Sequence, residues 1–156
     1  MSDNRVLNLW QRHASNAFGR WLFSRIVCLR APYFGSIRPV FTQLQPGRAE
    51  ARIKKRRPVT NHLGTVHAIA MANLCELVAG TGTEVSVPAS MRWIPKGMTI
   101  EYLAKATTNV RAVATIPDLV VGQSQDIKTQ VEVFDSNDTV VVRADITMYV
   151  SAKQRS

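Results

Sequence analysis

The chain has 156 residues, 46% hydrophobic and 20% charged. That balance excludes a disordered tract and a polytopic membrane protein, and the length predicts one domain over 1–156 that buries about two thirds of its unfolded surface. Twenty Lys and Arg against eleven Asp and Glu give a net charge of +9, a field that favours anionic partners such as nucleic acid, acidic lipid or a phosphate-bearing ligand.

Asp3 and Arg5 precede any apolar run and no small-residue cleavage site follows one, so the N-terminus is not expected to be a signal peptide. The unbroken apolar runs are too short to span a bilayer. Cys28 and Cys75 both lie in apolar settings, which predicts core thiols and a reducing, cytoplasmic location.

From Asn4 to Leu29, Val6, Leu7, Trp10, Phe18, Trp21, Leu22 and Ile26 fall near helical spacing with Arg12, Arg20 and Arg25 between them. This predicts an amphipathic helix interrupted at Gly19, within an N-terminal segment 1–31 that packs on the domain as a lid or flanking helix. An interfacial membrane helix is the competing reading. Pro32 ends the segment, and a core over 34–151 follows. There the period changes to two strands, Phe34–Leu44 and Arg48–Lys55, joined by a Pro46-Gly47 turn. Lys54, Lys55, Arg56 and Arg57 close the second strand as a basic cluster. Such a run is ordinarily a solvated face; it also has the chemistry to hold phosphates. No interleaved aromatics or nucleic-acid module accompany it, so nucleic acid is the less favoured partner.

A polar loop, Thr60 to Thr65, leads into a helix from about Val66 to Ala79, in which Ala70, Met71, Leu74, Leu77 and Val78 keep a three-and-four spacing. Gly80 and Gly82 are expected to stop it. A loosely structured, turn-rich connection, Glu84 to Pro95, follows. Met98–Ala104, Asn109–Ile116, Ile127–Phe134 and Thr139–Val150 then read as a meander of four strands, with Asp135-Ser136-Asn137-Asp138 as a hairpin turn.

Between Pro58 and Thr83 the only formally charged residue is Glu76. A carboxylate late in a buried helix gains nothing from the macrodipole and is costly to desolvate unpaired. Either it reaches solvent or an Arg, or it lines a cleft as a general base or nucleophile.

The run Asn61-His62-Leu63-Gly64-Thr65-Val66-His67, the uncharged helix with an acid nine residues beyond His67, and the strand Met98-Thr99-Ile100-Glu101-Tyr102-Leu103-Ala104-Lys105-Ala106 resemble the hotdog-fold acyl-CoA thioesterases, in particular their uncharacterised small single-domain branch. The resemblance implies an α+β hotdog fold, a curved antiparallel sheet wrapped around one long central helix, here with an extra N-terminal helix. It implies that Glu76 activates water or attacks the thioester, that Asn61 helps place the carbonyl or water, and that the backbone N–H of Ala68 polarises the carbonyl, with His67 supporting the turn. A helix N-terminus suits an oxyanion because unpaired N–H groups and the dipole converge there. Gly64, Thr65, the Lys54–Arg57 cluster and Thr99, a candidate for the auxiliary hydroxyl of the next strand, complete the expected substrate site. Many members have His-Gly-Gly where this chain has His67-Ala68-Ile69. Unpaired sheet edges predict pairing with a second copy, as a homodimer or a tetramer of dimers; the resemblance implies that the site lies across the dimer interface, with Asn61 and Glu76 from different subunits.

His13, His62 and His67 with two dispersed Cys show no zinc spacing, and Gly80-Thr81-Gly82-Thr83 lacks the strand-before-helix setting of a dinucleotide loop, so neither metal nor cofactor is expected. No Gly-x-Ser-x-Gly elbow is present. The expected activity is acyl-CoA thioester hydrolysis. The alternatives are a non-catalytic acyl or CoA-binding module, and an acyl hydratase or dehydratase of the same fold.

Overall fold

A computed structural model describes residues 4–153; the outermost positions of the expected 1–156 domain lie outside the described residues. Helix α1 (Arg5–His13) begins where the Asn4 side chain accepts the Leu7 N–H at 3.0 Å. Helix α2 (Ala17–Arg30) begins where Asn16 accepts the Gly19 N–H at 2.8 Å. The N-terminal segment is therefore two helices, and its break falls at Ala14–Asn16 rather than at Gly19. An Asn side chain competes for backbone N–H groups and starts a new helix. Gly19 sits one turn later because the end of α1 crosses it, with the His13 carbonyl oxygen only 1.7 Å from where a Cβ would stand.

After α2 the chain makes a 3-10 segment, Pro32–Ile37, where a strand was expected, and Arg38 turns it with a left-handed φ of 49°. Strands β1 (Val40–Gln45) and β2 (Arg48–Ile53) then form the expected hairpin. A second 3-10 turn, Arg57–Val59, carries the chain into helix α3 (Ala68–Ser86). This helix does not stop at Gly80 or Gly82. Both glycines are packing positions: a Cβ at 82 would lie 2.5 Å from Ile116 Cδ1, and one at 80 would lie 3.0 Å from the Trp93 ring.

Strand β3 (Met91–Tyr102) begins inside the expected loop and takes its last five residues, passing through Pro95 with a bulge between Pro95 and Gly97. Proline is tolerated there because β3 is an edge strand. The remaining strands are β4 (Val110–Thr115), β5 (Gln125–Asp135) and β6 (Val140–Ala152). Asp135 Oδ1 accepts the N–H groups of Asn137 and Thr139 to close the last hairpin.

The six strands form one antiparallel sheet in the order β1-β2-β4-β5-β6-β3, with α3 packed against it: the hotdog architecture. The four C-terminal strands are not a simple meander. Strand β3 pairs with β6 at the far edge, and the chain then crosses back to insert β4 beside β2. The helix can lie close to the sheet centre because Ala49, Ala51, Ala112 and Ala114 face it there, all fully buried. Leu74, Cys75 and Val78 on α3 and the alternating Val131, Val133, Ile146 and Met148 on β5 and β6 fill the core.

The N-terminal helices pack at the β1 end. Trp10, Phe23 and Phe41 meet edge-on with centroids 5.1–6.5 Å apart, a favourable aromatic geometry. Asn4 Nδ2 donates to the Glu84 carbonyl at 2.6 Å, which fixes the start of α1 to the end of α3. No helix among the described residues is long and apolar enough to cross a membrane.

Candidate active site

The loop before α3 is held by its own first residue. Asn61 Oδ1 accepts the N–H groups of Leu63 (3.0 Å) and Thr65 (3.1 Å), and Asn61 Nδ2 reaches Thr65 Oγ1 at 2.9 Å. Gly64 takes a φ of +71° that favours glycine. Asn61, Gly64 and the buried Thr65 thus form one closed turn, with the Asn61 amide spent inside it. His67 donates its N–H to Val59 (2.8 Å) while its Nδ1 accepts the Ile69 N–H at 3.0 Å, so the imidazole caps the helix.

Ala68 is the first residue of α3, and its N–H meets no acceptor among the described residues. Beside it, Tyr102 Oη donates to the Ala68 carbonyl at 3.2 Å. Burial, and secondarily Cys75, raises the Tyr102 phenol above its ordinary range, which keeps it a donor. The sequence reading assigned Tyr102 no role. Its alternation with Ile100 and Met98 on β3 is the signal that would have placed it on the helix-facing side.

Glu76 is half-buried, and no hydrogen bond or ion pair reaches its carboxylate among the described residues. It stands in the wall of an open, mainly apolar cavity of about 640 Å³ between the N-terminal helices, α3 and the β3–β6 edge, a volume ordinary for a small-molecule site (about 300–1,000 Å³). Trp93, Pro95 and Met148 line the sheet side. Trp93 lies against Gly80 and donates its indole N–H to Glu84 Oε2 at 2.7 Å.

Within one chain the expected site residues do not converge. Ala68 and Glu76 are eight residues apart on one helix, about 12 Å along its axis, and none of Asn61, His67 and Ala68 lines the Glu76 cavity. Thr99 pairs with Asp145, on the sheet face opposite the one that β6 buries against α3. Lys54, Lys55 and Arg57 are exposed just before the Asn61 loop. Arg56 is partly covered and donates to the Ser36 carbonyl at 2.7 Å; burial and the neighbouring Arg38 lower its pKa.

The six-stranded antiparallel sheet with α3 packed against it defines a protein of the hotdog fold. Residues 19–150 match the model of a family described as a domain of unknown function, DUF4442, and the chain belongs to that family. It is similar to a protein solved as the structural-genomics target APC5556, with a TM-score of 0.82 and 47% identity over 95% of this chain and 99% of that one. It shares its fold with thioesterase HI1161 from Haemophilus influenzae (TM-score 0.71, 12% identity, 81% of this chain and 87% of that one). Thioesterase SAV0944 from Staphylococcus aureus is a further fold neighbour (TM-score 0.69, 12% identity, 77% and 98%). No curated protein matches the sequence.

Proposed function

We propose that the protein is an acyl-CoA thioesterase that works as a homodimer in the cytoplasm. The observation that carries this reading is the unpartnered Glu76 carboxylate in the wall of an apolar cavity. A carboxylate with no protein partner among the described residues is free to engage a reacting water or thioester, and the cavity gives either one access to it.

In the reaction, Glu76 takes a proton from water as its oxygen attacks the thioester carbon. The carbonyl oxygen becomes an oxyanion held by the Ala68 N–H at the head of α3. The C–S bond then breaks, and the proton passes to the leaving thiolate. Direct attack by Glu76, with hydrolysis of the resulting anhydride, is the other route open to the same group. Lys54, Lys55, Arg56 and Arg57 supply cations for the phosphates of coenzyme A.

Because Ala68 and Glu76 diverge within one chain, the site is completed by a second copy, paired along the free edge of β3. That edge is asymmetric. Arg92–Gly97 is guarded by Pro95, a bulge and Lys96, devices that resist strand addition, whereas Met98–Tyr102 carries none of them. Pairing through the second half brings the copies together beside Tyr102 and Ala68, where the oxyanion donor lies.

A non-catalytic acyl-binding module is favoured by one observation, the Asn61 amide, which is consumed by its own loop. Thiol release from a panel of acyl-CoAs by the wild type and by Glu76→Gln decides between them. Hydrolysis lost in a folded Glu76→Gln supports the esterase; acyl-CoA binding without thiol release by either protein supports the module.

A further inference from the structure

We infer that the two N-terminal helices form the acyl-specificity wall of the site, and that the cavity beneath them takes a flexible aliphatic chain with its reacting end at Glu76 and its tail towards Trp93. The direction of the chain rests on the hydrolase reading; the cavity and its apolar occupant do not.

The stripe that α3 presents to this cavity is Glu76, Leu77, Gly80, Thr81 and Glu84, one helical face extending about 12 Å. The space is therefore elongated along the helix, with the Trp93 ring set against Gly80 on its sheet side. The opposite wall is built by α1 and α2 with Leu9, Ile26 and Val27, all aliphatic and none carrying a polar atom. Arg5 and Arg30 line it as well, both exposed.

The two carboxylates on the stripe are not equivalent. Glu84 is engaged by the Trp93 indole at 2.7 Å, and its carbonyl receives Asn4 at 2.6 Å, so that end is tied shut between α1, α3 and β3. Glu76, at the other end, has no such partner among the described residues. An amphipathic ligand thus finds an unengaged acid at one end and, at the other, a floor whose polar groups are already paired with one another. Burial of each methylene is worth about 0.8 kcal/mol, or about fourfold in affinity, so binding should climb with chain length until the tail meets the closed end.

The test uses the full-length protein and S-alkyl thioether analogues of coenzyme A with ethyl, butyl, octyl and dodecyl chains, with calorimetric affinities. Affinity is expected to rise about fourfold per methylene and then level off. Val27→Trp, which fills the middle of the helical wall, should shorten the length at which it levels and weaken octyl binding at least tenfold. Leu29→Trp, on the outer face of the same helix and 79% exposed, should leave the profile unchanged. If Val27→Trp does not fold, Thr81→Leu narrows the same space from α3. An affinity indifferent to chain length, or a profile that neither narrowing variant moves, overturns the inference. Parallel hydrolysis assays separate the two proposals. Length-dependent binding without turnover keeps the cavity and removes the esterase. Turnover that depends on Glu76 and ignores chain length keeps the esterase and removes the acyl wall.

Discussion

The two sides of α3 are built to opposite specifications. Towards the sheet, Leu74, Cys75, Val78 and Gly82 are fully packed, and even the space beside Gly82 is taken by Ile116 and Ala49. Towards the N-terminal helices, Glu76, Leu77, Gly80, Thr81 and Glu84 border a hollow. One helix of near-uniform apolarity thus serves as core on one side and as the wall of an open cavity on the other. The two are distinguished by what packs against the helix, not by its own composition.

That contrast can be tested from both sides. The largest effect is expected at the hollow face: Glu76→Gln should cost about 10²–10⁴ in thioester hydrolysis while leaving the thermal midpoint unchanged, measured by thiol release and circular dichroism. On the packed face, Leu74→Ala should cost about 2–5 kcal/mol of stability by urea unfolding, because the methyls removed leave a cavity that the Ala-lined sheet cannot fill. The sharpest test is one substitution made on both sides. Gly82→Ala should destabilise by about 1–2 kcal/mol, since overpacking against Ile116 exceeds the gain in helix propensity. Gly80→Ala, whose Cβ would meet only the Trp93 ring at 3.0 Å, should cost less, because that ring borders the cavity and can give way.

A smaller effect should appear with pH. Burial pushes the Cys75 thiol up to about 12, so above about pH 8.5 the unfolded chain ionises this group while the folded chain keeps its proton. The stability it contributes is complete below the unfolded value and is lost as pH rises towards 12. Cys75→Ala should flatten that decline in denaturant titrations across the alkaline range.

Periodicity announced α3, and Asp135–Asp138 announced the last hairpin, because those signals are local. What misled were residues whose purpose is tertiary. Gly80 and Gly82 read as a helix stop and are contact points for Trp93 and Ile116. Pro95 read as a loop and sits on an edge strand, where its missing N–H costs nothing. Nor could spacing show that β3 crosses to pair with β6, since strand order depends on which edges remain free after the sheet assembles. For the site, the solitary charge of Glu76 was visible in the sequence. Its cavity was not, because Leu9, Ile26 and Val27 belong to helices more than forty residues away in the chain.

On the homodimer proposed above, the uneven guarding of β3 also bears on the protein's life before it meets a copy of itself. Along that strand and just past it, Ile94, Met98, Tyr102 and Leu103 are 38–55% exposed. A newly folded chain therefore offers a less guarded half-strand, with Glu101 as its one charge, to whatever extended peptide it encounters. Yield in a host cell should consequently rise when synthesis is slow enough for partners to be found before strangers. A single Lys at Thr99 should trade assembly for solubility of the lone chain.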